Sequence, residues 1–332
     1  MQNATALISR NDSDKYSRRL SDKRNGRQPY RVVVHGLRHF CEKLPKLIGN
    51  ESWDVRDRSL HTPRQLARLT ADLRTCDLAF LWGGRIDMGR FLWAVRLMGV
   101  PNVVFFWCGS DVLRAKKILS SGSGIDEWIG RCIHWAASAT LAEEVRELGL
   151  DCEFVQASFV DVQETPSPLP AQFSVMVFLP RAEDADLYGW DRVVSVANSL
   201  EYIRFKVVGL HPGQKIHAPA NVSVHHWTRD LTSLYDDCTV LWRPVRHDAG
   251  ISFMVLEALS RGRYALYTYA VPGAIQVSDV AGAKEHLMSL EALHQSGRLP
   301  VNSAGIQAIV QTYTRDIVRR EIRDRWEAII RH

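Results

Sequence analysis

The stretch Trp242–Gly273, WRPVRHDAGISFMVLEALSRGRYALYTYAVPG, decides how the rest of the chain is read. It opens at the end of a short apolar run, Thr239–Arg243, whose composition suits a buried strand. A loop follows, carrying Pro244 and Gly250. Ser252 is a residue type that caps helices, and the apolar residues from there to Arg261 predict a helix. Tyr264–Thr268 then predicts a second strand. Strand, helix and strand, with both strands apolar along their whole length, is the signature of a parallel pair covered on both faces.

The same alternation runs outward in both directions. Upstream, strands are predicted at Ser174–Leu179, Ile203–Val208 and Val222–His226, with helices at Trp190–Ser199 and Asp230–Tyr235. Before them the pattern occurs once more, in strands at Arg31–His35, Leu78–Trp82, Asn102–Trp107 and Glu153–Val155. Helices are predicted there at Leu66–Leu73, Phe91–Met98 and Ala139–Leu148. Residues 162–171, VQETPSPLPA, carry three prolines and separate the two arrays. Gly305–Arg331 reads as one long helical stretch with a charged second half. At 332 residues the chain has room for two domains. The expected organisation is a leader at 1–28, one domain at 29–165, a second at 166–312, and a closing helix at 313–332 that packs back across both. The fold class is α/β, with two Rossmann-like doubly wound domains facing each other across a cleft lined by strand C-termini. Gly36, Gly83, Gly84, Gly109, Gly209 and Gly250 fall at those strand ends, where glycine serves either tight turns or close approach to a ligand.

Composition narrows the function. Residues 1–31 hold eight Lys or Arg against three Asp, which accounts for the whole net charge of +5. The folded body therefore sums to about zero, and a nucleic-acid partner is not expected. The leader is too poor in apolar residues to fold, and is either a solvated tail or a loose contact with anionic lipid. No apolar core of a signal peptide follows the first charges, and no stretch qualifies as a membrane span. Arg85–Val100, apolar with three arginines, is either a buried helix with cationic edges or a helix lying on a bilayer. The six cysteines are scattered without a Cys-x-x-Cys pair, so neither a zinc site nor a disulfide framework is expected. A cytoplasmic protein follows, bound at most peripherally to the inner face of the membrane.

The helix after Ser252 would present open amides and a positive dipole end, suited to a diphosphate. Within it Glu257 is surrounded by Phe253, Met254, Val255, Leu256, Ala258 and Leu259. A carboxylate in such company needs a partner. Either Arg261, four residues on, pairs with it, or it accepts hydrogen bonds from the vicinal hydroxyls of a ligand. Glu183–Asp186 contains an Asp-x-Asp, a metal-binding motif elsewhere, but it follows the first strand of a second domain and no metal is expected there. No Gly-x-Gly-x-x-Gly follows the first strand, which disfavours a dinucleotide-dependent oxidoreductase.

The segment resembles the C-terminal signature of the retaining, nucleotide-sugar-dependent GT-B glycosyltransferases, the glycosyl transferases group 1 family. That signature reads Pro-x-x-x-Glu-Gly-x-x-x-x-x-x-Glu-Ala, a small residue with Gly, and then Val and Pro-Gly. Pro244, Gly250, Glu257–Ala258, Arg261–Gly262 and Val271–Gly273 match it in order. Val208–Gly209 and Leu234–Cys238 match the order of the family's preceding segments. The likeness covers about residues 174–275. In the first half, Trp107–Val112 and Ala137–Leu141 resemble family segments more loosely.

The resemblance implies an enzyme that moves a sugar from a nucleoside-diphosphate sugar to a hydroxyl of a glycan or lipid-linked acceptor. Cell-surface polysaccharide synthesis is the setting it suggests. It also implies retention of anomeric configuration, with neither a metal nor any other cofactor. Glu257 would hold the ribose hydroxyls, and the amides of Gly250, Ile251 and Ser252 would lie at the donor sugar and phosphates, with Gly209 and Arg243 also on the donor side. The family's first motif Glu falls on Ala249. Asp248 stands one position earlier, either reaching the sugar as a catalytic carboxylate or bracing its own loop. Arg181, after the first strand of the second domain, is the candidate cation for the leaving phosphate. The Lys that accompanies it in the family is absent, and Arg243, Arg246 and Lys215 are substitutes. On the acceptor side stand Gly83, Gly84 and Asp111. His35 or Asp111 would position a hydroxyl, unless each is a satisfied structural group. The alternative is a non-catalytic GT-B-like module that binds a nucleotide sugar or glycan without transfer.

Overall fold

The computed structural model describes residues 28–37, 41–58, 63–162, 166–228 and 230–332. The leader expected over 1–28 therefore lies outside the described residues except for Gln28, as do residues 163–165 of the Pro-rich segment. The chain divides into two compact units. The first takes in the described residues of Met1–Ala136, with Ala142–Val155 and Arg319–His332. The second comprises Ala137–Leu141 and Gln156–Val318.

The first unit holds β1 (Tyr30–Gly36), α1 (Lys43–Ile48), β2 (Trp53–Asp57), α2 (Pro63–Leu73), β3 (Leu78–Trp82), α3 (Arg90–Leu97) and β4 (Val103–Trp107). It continues with α4 (Ser110–Ser120), α5 (Glu127–Gly130), β5 (Ile133–Ala136), α6 (Ala139–Glu147), whose first three residues count with the second unit, and β6 (Cys152–Phe154). The six strands pair in parallel in the order β2-β1-β3-β4-β5-β6. β3 and β4 are buried at every position. That explains their unbroken apolar sequences, because a central parallel strand has helices on both sides. On one face Val33, Ala79, Leu81, Val103 and Phe105 pack under Leu69 and Leu73 of α2 and Phe91, Leu92 and Val95 of α3. The other face carries the alternate residues, among them the aromatic group Phe80, Trp82 and Phe106.

The second unit restarts the pattern with β7 (Ser174–Phe178), a 3-10 turn at Ala182–Asp184, α7 (Trp190–Ser199), β8 (Arg204–Leu210), β9 (Val222–His226) and α8 (Thr232–Asp236). It goes on with β10 (Val240–Arg243), α9 (Phe253–Ser260), β11 (Tyr264–Tyr267), β12 (Ile275–Gln276), α10 (Val280–Gln295) and α11 (Ser303–Thr312). The order is β12-β11-β10-β7-β8-β9, again parallel throughout. The strands' period of two sorts their side chains. Val175, Val177, Phe205, Val207, Val240 and Trp242 face α7 and α10. Met176, Val208, Leu241, Ala265 and Tyr267 face α9 and α11. Two cores on one sheet make the unit doubly wound.

The last helix, α12 (Arg315–Arg331), passes into the first unit from Arg319 on. There Trp326, fully buried, meets Phe80 edge-on at 5.4 Å and Trp53 at 5.8 Å. Arg319 and Arg323 donate to the carbonyls of Leu47 and Ile48, the open C-terminal end of α1. The long helical stretch expected over Gly305–Arg331 is thus two helices. It breaks at Tyr313, whose carbonyl accepts the N–H of Val160 while Thr314 bridges to Val160. β2, β5, β12, α1, α4, α5 and α10 were not expected from sequence. No helix among the described residues is long and apolar enough to cross a membrane.

Candidate functional site

In the second unit the chain steps from β7 to β8 and β9 on one side, then returns to lay β10, β11 and β12 on the other. The reversal lies between β7 and β10, and ligands of open α/β sheets bind beyond the strand C-termini at such a point. β7 ends there at Phe178 and β10 at Arg243.

Arg243 is buried, its guanidinium 5.5 Å from the ring of Phe178 and 5.5 Å from that of Tyr188. Its Nη2 donates to Asp248 Oδ2 at 2.5 Å. Among the described residues its Nε has no hydrogen-bond partner. Burial works against the charge, but the Asp248 carboxylate and neighbouring oxygens outweigh it, so the guanidinium's pKa is raised. Asp248 is held from several directions. The Tyr267 hydroxyl donates to Oδ2 at 3.0 Å, the Ala249 amide to Oδ1 at 2.8 Å, and the Asp248 amide itself donates to the Tyr269 hydroxyl at 3.1 Å. Burial and the Asp248 charge push the Tyr267 phenol well up, so it stays a donor at neutral pH.

From Asp248 the loop runs through Ala249 and Gly250, the latter at φ +78°, to Ile251 and the N-cap Ser252. Ser252 is extended and its side chain makes no capping hydrogen bond to α9. One turn on, about 6 Å along the axis, stands Glu257. It is half-buried and accepts the Tyr235 hydroxyl on Oε2 at 2.9 Å. The pair with Arg261 that spacing allowed does not form. Arg261 turns to Asp236 at 3.6 Å and to the Thr232 hydroxyl at 3.2 Å. Gly209, at φ +95°, leaves room for Phe178, whose ring would lie 2.4 Å from a Cβ placed there.

Arg181 follows β7 but is exposed, with its Nε on Asp184 at 2.7 Å and Glu183 at 3.8 Å. Asp186 takes Arg246 at 3.0 Å. The acids of the Asp-x-Asp thus have cationic partners of their own. Lys215 is exposed.

In the first unit the corresponding reversal lies between β1 and β3. His35, near the end of β1, has Nδ1 2.7 Å from the Arg58 carbonyl and lies flat on Phe91 at 4.1 Å. Gly83 and Gly84 follow β3. A Cβ on Gly84 would fall 1.9 Å from the Trp107 indole, so only glycine fits there. Asp111 accepts the amides of Gly84 at 2.6 Å, Cys108 at 2.9 Å and Val112 at 3.1 Å. Burial nonetheless holds its carboxyl above its ordinary pKa. It braces the turns after β3 and β4. A cavity of about 370 Å³ in this unit is lined by Ile133, Trp135, Asp151, Glu153, Arg325 and Ile329. It opens where β5 and β6 begin, the edge opposite to that at which such sheets bind ligands.

The sequence reading singled out Arg243, Asp248 and Glu257, but not what surrounds them. Phe178, Tyr188, Tyr267 and Tyr235 complete the site from four other segments. Only Tyr235 carried a signal, as part of Leu234–Cys238, and nothing in that segment pairs it with Glu257.

No family model matches the chain, and no curated protein matches it. Solved structures do match. HepE from Anabaena, crystallised with UDP-glucose, aligns with a TM-score of 0.63 at 9% identity, over 90% of this chain and 99% of its own. A glycosyltransferase from Rickettsia africae gives 0.59 at 8%, over 91% and 99%. A mutant of S. aureus TarM, solved with fondaparinux, alpha-GlcNAc-glycerol and UDP, gives 0.56 at 8%, over 81% of this chain. The chain spans 59% of the length of that TarM. The likeness to these glycosyltransferases, with two parallel six-stranded sheets in the chain itself, gives it the GT-B fold.

Proposed function

We propose that the chain is a glycosyltransferase that moves a sugar from a nucleoside-diphosphate sugar to a hydroxyl, the donor binding at the β7–β10 reversal of the second unit. One observation carries the reading. A single helix, α9, turns its positive dipole end toward the loop Gly250–Ser252 and carries a half-exposed carboxylate one turn later, with a buried arginine at the adjacent strand end. Diphosphate at that loop and ribose at Glu257 match the spacing. The complexes of HepE and TarM with UDP support the donor class. TarM's fondaparinux and GlcNAc-glycerol support a glycan or polyol hydroxyl as acceptor, free or lipid-linked.

In this reading the diphosphate gains negative charge as the glycosidic bond breaks, and the amides of Gly250, Ile251 and Ser252 with Arg243 stabilise it. A bound phosphate oxygen would also relieve the unpartnered Arg243 Nε, a costly feature in a buried side chain. Arg243 thus takes the part for which Arg181 was the first candidate, and Arg181 acts from the rim. Transfer proceeds with retention, without a metal and without a covalent enzyme nucleophile, the departing phosphate assisting the incoming hydroxyl. Asp248 sets the charge and position of Arg243, while Gly209 and Gly250 let backbone approach the donor. On the acceptor side Gly83 and Gly84 provide backbone approach, Asp111 holds their loop, and His35 orients the hydroxyl. Peripheral contact with the inner face of a membrane belongs to the same proposal. Trp93 and Leu97, exposed on α3 beside Arg96, support it.

The test is turnover of UDP-, GDP- and ADP-sugars, read as donor hydrolysis and as transfer to a glycan. Glu257→Gln should lower kcat/KM by about 10–100-fold, the effect of losing a charged acceptor to a hydroxyl. If no sugar nucleotide is turned over or raises the melting temperature, the proposal fails. A second reading is favoured by the full engagement of Asp248 and by the buried Ala249 in place of the family's Glu. It is a module that binds the nucleotide sugar without transfer, and tight binding with no turnover identifies it.

A further inference from the structure

We infer that Tyr235 is a positioning residue that aims the Glu257 carboxylate at the nucleotide's ribose, a role that rests on the donor site proposed above. Its hydroxyl holds Oε2 at 2.9 Å and leaves Oε1 for a ligand. A glutamate side chain on a helix surface otherwise samples several rotamers, and fixing it beforehand removes that entropy from binding.

Tyr235 is itself over-determined for this task. It is 1% exposed, so it meets no ligand directly. Arg263, wholly buried, donates from Nε to the Tyr235 carbonyl at 3.0 Å. Arg261 lies over the Tyr235 ring at 5.5 Å. The hydroxyl is also 3.4 Å from the Met254 carbonyl, in the first turn of α9. The phenol is therefore fixed to the helix at two points, one on each side of the turn that ends at Glu257. Burial beside Glu257 keeps it protonated, hence a donor, through the neutral range.

The chemistry this geometry selects is a vicinal diol presented to one free carboxylate oxygen. A ribonucleotide supplies it and a 2′,3′-dideoxynucleotide does not. The experiment measures dissociation constants of UDP, GDP and ADP, and of the dideoxy counterpart of whichever binds tightest, to the full chain by calorimetry. The wild type should prefer the ribonucleotide, and Glu257→Gln should erase the preference. Tyr235→Phe should weaken ribonucleotide binding by about 3–10-fold, the worth of one ordinary hydrogen bond, and leave dideoxynucleotide binding unchanged. Added to Glu257→Gln it should cost nothing more. Because Tyr235 is buried, its variant's melting temperature is read alongside. Glu257→Asp, which draws the carboxylate away with Tyr235 intact, should show the same selective loss.

If Glu257→Gln erases the preference while Tyr235→Phe weakens both nucleotides equally, or neither, the positioning role is wrong and the donor site stands. If the wild type binds no nucleoside diphosphate, or Glu257→Gln keeps the preference, the donor site is wrong and the inference falls with it.

Discussion

Arg243 and Asp248 show how a single buried contact can serve both stability and chemistry. The pair lies 2.5 Å apart with side-chain exposures of 7% and 20%, so solvent screens it little. Removing one partner of such a pair leaves a buried charge and typically costs about 3–5 kcal/mol. Asp248→Asn should therefore lower unfolding stability by about 3 kcal/mol in urea titrations, and adding Arg243→Met should restore a large part of it. The same Arg243→Met alone should depress turnover by roughly 100-fold if the guanidinium meets developing phosphate charge. Stability that falls with unchanged kcat would remove Arg243 from the chemistry. At Gly84 steric exclusion decides. A methyl group there meets a fully buried Trp107, so Gly84→Ala should destabilise by about 3 kcal/mol, with a correspondingly lower denaturant midpoint.

Among the elements, α12 is held by the buried Val318, Ile322, Trp326 and Ile330, of which Trp326 is the largest. The helix sequence is highly charged, yet Trp326 inserts between Phe80 and Trp53 and is fully buried. Trp326→Ala should cost about 3–5 kcal/mol and open the α12 amides around Arg323 to hydrogen exchange. Unchanged protection at Arg319–Arg331 would show that the arginine contacts to α1 suffice. β2 illustrates the opposite case. Asp54 and Arg56 alternate with buried Trp53 and Val55 on this edge strand, and Arg56 pairs with both Asp54 and Asp72. An edge strand with a polar outer face has no apolar run, so periodicity passes over it.

At the scale of the whole molecule, pH and ligand both move the folding equilibrium. His134 is buried, with the Trp107 indole donating to Nδ1 at 3.2 Å, so Nε2, 3.0 Å from the Ile129 carbonyl, carries the ring proton. Burial lowers its pKa from 6.5 to about 4, against the smaller opposing effects of that carbonyl and Asp151. The unfolded chain thus takes up a proton first as pH falls. This contribution is complete above about pH 6.5, is lost between 6.5 and 4, and levels off below. The shift corresponds to about 3 kcal/mol. Denaturant titrations at pH 7 and 4 should differ by that much more in the wild type than in His134→Gln. A saturating sugar nucleotide, at about 100 times its dissociation constant, should add roughly 2.7 kcal/mol at neutral pH. EDTA should leave that increment and the turnover unchanged, and a loss with EDTA would overturn the metal-free proposal.

The linear sequence by itself determined the doubly wound architecture, because unbroken apolar strands such as Leu78–Trp82 and Ser174–Phe178 tolerate only a parallel sheet covered on both faces. It also placed Arg243, Asp248 and Glu257 beside one another, since a strand end, a loop and a helix start are contiguous in the chain. Tertiary structure alone decided their partners. Tyr235 reaches Glu257 across 22 residues, and Phe178 reaches Arg243 from a strand adjacent in the sheet but 65 positions earlier. Strand order brings such residues together, and strand order follows from how the crossovers pack, which no local pattern records.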